Sequence, residues 1–341
     1  MTTDDHDLAD RLASALNRTF AAPVEIVDLE RLKGGYSRRM WAFDTVGSDG
    51  TTSPWILCTD APDGVVGADS LSRANEARLL GHVRRAGLPV PAVATAGDGI
   101  EPFGAAWFVM QRLPGSAAVG PLLRERASSP APGRPRPSDA VVPAVLGRQK
   151  AAILVRIHEL SVPDALAPVP TPVDVATIET RRWVEATAQT PGAQTETTRA
   201  ALDRLRLTAP RPPERVCIVH GDYRTGNLLY DHNGITGVLD WEMAHPGDPL
   251  EDLARAQLAS WRIGTGLVGA MLTDAEWIAA YETASGLPVD AAALRFWQIL
   301  TGVKMSLLAW RAVERTAPGK EHDLLRRLFG QLQTQLDHNL G

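Results

Sequence analysis

Apolar residues at Leu8, Leu12, Ala15 and Leu16 recur at the spacing of one helix face and predict a helix over 4–20. The period then changes. VEIVDLERL (24–32) alternates apolar and polar positions, as a strand with one buried face does. Further strands are predicted at 40–46 and 55–59, joined by a Ser48-Asp49-Gly50 hairpin turn. Three antiparallel strands in a row describe a sheet and not a βαβ unit. A helix follows over 70–86, with Gly87 at its C-terminal end and Pro89 and Pro91 just beyond. Trp107-Phe-Val-Met110 reads as a short buried strand and leads into Gln111-Arg112-Leu113-Pro114-Gly115, a candidate hinge.

Beyond the hinge the pattern is mainly helical. Residues 120–143 are rich in Pro, Ser and Arg and read as a loop or insertion. Helices are predicted over 144–160, 291–315 and 321–338, and another begins at the capping box Thr273-Asp-Ala-Glu276 and closes at Gly286 and Pro288. Two short strands interrupt them, at 216–219 and 237–240. The prediction is an α+β fold of two lobes, an antiparallel-sheet N-lobe over 1–112 and a larger helical C-lobe over 113–341.

Composition narrows the function classes. The chain has 341 residues, enough to bury a large core without disulfides. Lys plus Arg total 35 and Asp plus Glu 40, a net charge of −5, which argues against nucleic acid and against a polybasic membrane anchor. Two cysteines, Cys58 and Cys217, make neither a disulfide framework nor a zinc site. The acidic N-terminus lacks an apolar signal core, and no apolar run is long enough to span a bilayer, so a cytoplasmic protein is expected. Lysine occurs only at 33, 150, 304 and 320, so few positions can serve a lysine-dependent role.

The densest chemistry lies in VHGDYRTGN (219–227). Asp222 and Asn227 stand five apart, the spacing of the kinase catalytic loop, with Gly221 where that loop carries Arg. A carboxylate there accepts or orients the proton of an attacking hydroxyl. A nearby amide oxygen ligates Mg²⁺ without competing for that proton. In VLDWE (238–242), Asp240 falls where a kinase places its metal-binding D-F-G carboxylate, and Glu242 replaces the usual glycine.

HGDYRTGN, followed by LDWEMAHPGDPLEDLA (239–254), resembles the aminoglycoside phosphotransferase family of small-molecule kinases. The GDPL-x-DLA tail is most similar to the branch related to kinase domains fused to acyl-CoA dehydrogenases. The resemblance implies a protein-kinase-like fold, ATP and Mg²⁺ as cofactors and a hydroxylated small molecule as phosphate acceptor. It makes Asp222 the catalytic base and Asn227 and Asp240 the metal ligands. His220, Asp248 and Asp252 become structural supports of the loop. Gly34, Gly35 and Ser37 match the turn whose backbone N–H groups cover the phosphates. Glu76 stands where the family's helix carries the Glu that pairs with a strand cation, and Gln111 and Leu113 supply backbone groups to the adenine.

One position departs from the family. The strand cation falls near Cys58, which carries no positive charge. Arg38 and Arg39, just past the glycine turn, are candidates to reach inward in its place. Cys58 also motivates an alternative, a catalytically impaired kinase-like module that binds a nucleotide or another ligand. A metal-dependent hydrolase built on His220, Asp222 and Asp240 is a third reading, poor in the histidines such sites gather. Tyr223 and Arg224 lie where they can touch an anionic substrate. Trp261, Trp277, Trp297 and Trp310 are candidates either for an aromatic acceptor pocket or for the core. The branch points to a hydroxyacyl or other metabolite acceptor over an antibiotic. The sequence does not set the oligomeric state.

Overall fold

The protein is described from a computed structural model at residues 3–20, 22–32, 38–61, 70–127 and 142–341, with backbone alone at 3–5 and 125–127. The glycine turn with Gly34, Gly35 and Ser37 lies outside the described residues. The chain forms two compact units, Met1–Pro114 with Gly237–Met243, and Gly115–Thr236 with Ala244–Gly341. The short segment around Asp240 therefore belongs with the N-terminal residues, whereas sequence order alone assigns it to the C-terminal part.

The first unit contains α1 (Thr3–Asn17), β1 (Val24–Leu32), β2 (Arg38–Gly47), β3 (Thr52–Asp60), α2 (Arg73–Arg85), β4 (Val93–Gly97) and β5 (Trp107–Gln111). Its antiparallel sheet has the order β1-β2-β3-β5-β4. One face of the sheet meets α1. Leu12 and Leu16 from the helix and Phe43, Leu57 and Val109 from the strands are all wholly buried there. Burying a side chain of that size contributes about 1.5–3 kcal/mol. The register pairs Met40 with Cys58 and Cys58 with Phe108, so these three share the opposite face. Arg38 lies two residues before Met40 and points the same way, whereas Arg39 is exposed. Strand β4 has no clear alternation and was not predicted.

The second unit contains α3 (Gly120–Ala127), α4 (Pro143–His158), α5 (Val175–Ala188), α6 (Glu196–Leu207), β6 (Cys217–Val219) and β7 (Leu228–Asp231). It continues with β8 (Gly234–Val238), whose end crosses into the first unit, then β9 (His245–Gly247), α7 (Pro249–Ala256), α8 (Asp274–Ser285), α9 (Ala291–Arg315) and α10 (Lys320–Leu340). Residues 120–127 are helical and not the expected loop; 128–141 lie outside the described residues. Strand β6 pairs with β9 and β7 with β8, which brackets 220–227 between two short ribbons. Helix α9 is the centre of this unit and packs against α5, α6, α7 and α10. Trp277 and Trp297 are wholly buried core residues, not pocket walls. The capping box of α8 forms as predicted, with Thr273 and Glu276 exchanging backbone bonds. Among the described residues no helix is long and apolar enough to cross a membrane.

Candidate active site

The loop between β6 and β7 is fastened from helix α7. Both Asp252 carboxylate oxygens accept backbone N–H bonds, from His220 (2.7 Å) and Gly221 (2.9 Å). Gly221 has φ +80°, a conformation glycine takes without steric cost. The His220 imidazole is wholly buried, and its Nδ1 accepts the Asp222 N–H at 3.2 Å. His220 thus braces the loop, which removes the support for a hydrolase built on it. Tyr223 is also buried and donates its hydroxyl to the Lys150 carbonyl at 2.8 Å, so it does not face a substrate.

Asp222 and Asn227 meet. The Asn227 amide nitrogen donates to the Asp222 carbonyl (3.0 Å) and to its carboxylate Oδ2 (2.7 Å). The amide oxygen of Asn227 is then the atom left for a metal. Arg224 Nε donates to the same Oδ2 at 3.1 Å, and Arg255 Nη2 donates to Oδ1. Burial pushes the Asp222 carboxyl up, but Arg255, Arg224, His220 and the Asn227 bond outweigh it and hold it below its ordinary range. The group is a carboxylate at neutral pH.

In the first unit a second charged cluster forms around Arg38. Its Nη2 donates to both oxygens of Glu76, at 3.0 and 2.8 Å, and its Nε donates to Glu242 at 3.0 Å. Its Nη1 lies 3.6 Å from Asp240 Oδ1. Arg73 Nη1 also reaches Glu76, at 2.6 Å, and Arg73 Nε lies 3.2 Å from Asp60. Glu76 is 1% exposed and so is no solvated helix charge. Burial alone would lower the Arg38 pKa, but Glu76, the Cys58 thiol, Asp240 and Glu242 outweigh it and hold it above the usual arginine range. Asp240 sits at φ +68° in a segment tied to the same unit by Val238 N–H to Pro89 and Leu71 N–H to Glu242. At the end of β5, the Gln111 N–H donates to Ala92 at 2.8 Å, while Leu113 is half-buried.

The sequence model of the phosphotransferase enzyme family matches residues 28–297. The chain belongs to that family. It is 28% identical over 212 residues to mouse acyl-CoA dehydrogenase family member 10, a match covering 60% of this chain but 18% of the mouse protein. Hygromycin-B 4-O-kinase of Escherichia coli is 40% identical over 62 residues, 18% of each chain. The chain therefore spans under a fifth of the length of these curated relatives. Among solved structures, a Ralstonia eutropha protein assigned to the aminoglycoside phosphotransferases superposes with TM-score 0.69 at 17% identity, over 97% of both chains. A thermostable mutant of an aminoglycoside phosphotransferase, in ternary complex with ADP and hygromycin B, gives TM-score 0.64 at 17% identity, over 98% of both chains. These structures share the kinase-like fold.

For a phosphotransferase of this family, the unusual feature is where the Glu76 cation comes from. It stands on β2, one strand over from Cys58 and one pleat step along. The thiol that occupies the expected place is wholly buried, and burial pushes it up to about 12. Sequence reasoning missed Arg255 and Arg73. Each lies three residues from a carboxylate it serves beside, Asp252 and Glu76, which is one helical turn. That spacing is the only local signal, and it does not reveal that Arg255 reaches back to Asp222. A further group of metal-type ligands, Glu179, His245 and Glu251, lies within the second unit. The Lys304 ammonium bonds Glu251 there at 2.9 Å.

Proposed function

We propose that the protein is an ATP- and Mg²⁺-dependent kinase that moves the γ-phosphoryl group to a hydroxyl of a small molecule. The Asp222–Asn227 pair carries this reading: a buried carboxylate held ionised and joined to an amide whose oxygen is left for a metal. In the reaction the acceptor oxygen bonds to the γ-phosphorus as the bond from that phosphorus to the bridging oxygen of ADP breaks. The hydroxyl proton passes to Asp222 and on to solvent. A carboxyl with a lowered pKa is a weak base, so Asp222 acts mainly by orienting the hydroxyl. That suits a loose phosphoryl-transfer transition state, in which positioning and electrostatics do most of the work.

The donor set fits Mg²⁺. The Asn227 amide oxygen and the Asp240 carboxylate are the hard oxygen ligands that this ion takes. When bound, Mg²⁺ neutralises charge on the nucleotide phosphates. Arg38, pinned by Glu76 and Glu242, replaces the family's strand cation toward those phosphates. Gly34, Gly35 and Ser37 offer backbone N–H groups over them. The Gln111 N–H is engaged by Ala92, so adenine recognition falls to the carbonyl of Gln111 and to Leu113. A cytoplasmic setting accords with the use of ATP.

The test is nucleotide turnover over a panel of hydroxylated acceptors. Asp222→Asn and Asp240→Ala are each expected to lower turnover by about 10²–10⁴-fold, with the circular dichroism spectrum retained. Full turnover in both variants would end the proposal. One observation favours a second reading, a nucleotide-binding module without transfer: two of the three Arg38 nitrogens already donate to carboxylates. Binding of Mg·ATP with no transfer to any acceptor would select it.

A further inference from the structure

Arg255 is 2% exposed. Its Nη2 is used by Asp222, but its Nε and Nη1 are buried without a hydrogen-bond partner among the described residues. The face of Trp261 lies beside it, with the ring centroid 5.1 Å from Arg255 Cζ and 4.7 Å from Arg224 Cζ. The indole Nε1 and the neighbouring Ser260 hydroxyl are likewise buried and unpartnered. Every unmade group in this cluster can donate, and two of them belong to a cation.

We propose that Arg255, with Arg224 and Trp261, recognises an anionic group, a carboxylate or a phosphate, on the acceptor, so that the protein phosphorylates hydroxylated acids. This rests on the phosphotransferase reading and gives it a substrate class. Buried donors are nearly always satisfied in folded proteins, and a buried guanidinium with idle N–H groups is the costly exception. Charge points the same way. Two guanidinium groups converge on the single Asp222 carboxylate, and the next acid, Asp252, is occupied by the loop N–H groups and by His158 at 3.2 Å. Arg224 and Arg255 repel each other across Asp222, and a second anion relieves that repulsion. Guanidinium is planar and matches carboxylate and phosphate oxygens. A polycationic acceptor meets the opposite field at this spot. The Trp261 face adds a flat apolar wall, and its N–H adds one more donor. Since Arg255 touches the catalytic carboxylate itself, the acid group and the reacting hydroxyl belong close together on one small molecule.

The test pairs each acid with a neutral counterpart. The 2-, 3- and 4-hydroxybutyrates are set against their methyl esters, glycerol 3-phosphate against glycerol, and hygromycin B serves as the polycation. Binding to the full chain is read by calorimetry in the presence of Mg·ADP, and phosphoryl transfer is read separately. At least one acid is expected to bind about tenfold or more tightly than its neutral partner, the scale of losing a charge-assisted hydrogen bond. The carboxylate and phosphate arms show which anion is read. Arg255→Gln is expected to bring the acid-to-ester ratio toward one, and Arg255→Lys to restore part of it. Trp261→Phe keeps an aromatic face but removes the indole donor together with part of the ring, and it reports even where an Arg255 variant does not fold. A ratio near one throughout, or no binding by any acid, overturns the inference. Rapid transfer to neutral alcohols with no preference for acids defeats this inference and leaves the kinase reading standing. Selective acid binding with no transfer from ATP does the reverse.

Discussion

Arg38 shows how much one side chain can decide. Its guanidinium lies between Glu76 and Glu242, two buried carboxylates, and over the Phe108 ring at 5.7 Å. Removing one partner of a buried ion pair costs more than the pair contributes, because the stranded charge keeps its desolvation penalty. Arg38→Met is therefore expected to destabilise the protein by roughly 3–5 kcal/mol, toward the low end because Arg73 still reaches Glu76. Arg38→Lys keeps the charge but not the bidentate geometry and should cost less. Urea unfolding of both variants checks this; equal stability of Arg38→Met and the parent protein would mean the cluster contributes nothing. The sequence named Arg38 and Arg39 together as candidates. The alternation of a pleated strand separates them, and only the register of β2 on β3 says which face is inside.

At the scale of elements, the loop 220–227 depends on neighbours far along the chain. The hydroxyl of Thr225 donates to Gly269 at 3.2 Å, and Gly269 has φ +59°. A Cβ at Gly269 would overlap Thr225 Oγ1 and come within 3.5 Å of Lys150 Nζ. Gly269→Ala should therefore cost about 1–3 kcal/mol and displace Thr225, lowering turnover more than nucleotide affinity. Measured kcat and nucleotide Kd separate the two effects. Helix α4 contributes a pH-dependent term. Lys150 is buried against the Tyr223 and Trp277 rings, and burial lowers its pKa to about 7. An unfolded lysine titrates near 10.4. Between pH 7 and 10 the unfolded chain holds a proton that the folded one has lost, so this residue's contribution to stability rises with pH. The stability of the parent protein relative to Lys150→Met should increase by about 1.5 kcal/mol from pH 7 to 8.5. Urea midpoints at both values read it, and a constant difference would place the ordinary lysine pKa in the fold.

For the molecule as a whole, nucleotide binding should appear as stabilisation. Mg·ATP at about a hundred times its Kd should add roughly 2.7 kcal/mol. Differential scanning calorimetry with ATP alone, Mg²⁺ alone and both together tests it. A shift that needs both would show that the protein binds Mg·ATP although Cys58 stands at the strand-cation position. No shift in any condition would favour a module that does not bind nucleotide. The two halves of the proposed chemistry are assembled independently. Asp222 and Asn227 are held by α7 within the second unit, and Asp240 is held by backbone bonds to residues 71 and 89 within the first.

What the sequence determined by itself is what depends on short spacing. The five-residue step from Asp222 to Asn227, the alternation of β1 to β3, the capping box at Thr273 and the apolar length of α9 are all local, and each was legible. Shorter or less regular elements were not: β4, β7, β9 and α3 have too few residues for a period to show. Only the tertiary structure could place Arg38 against Glu76, Arg255 and Arg224 on Asp222, and Lys304 on Glu251. Those contacts join residues 33 to 53 positions apart, except Arg224, which lies two residues from its partner. The reason is physical. A charged side chain in sequence carries no record of its partner, because pairing is settled by which strand register and which helix face fill the core. The apolar residues that make that choice are not the ones that do the chemistry.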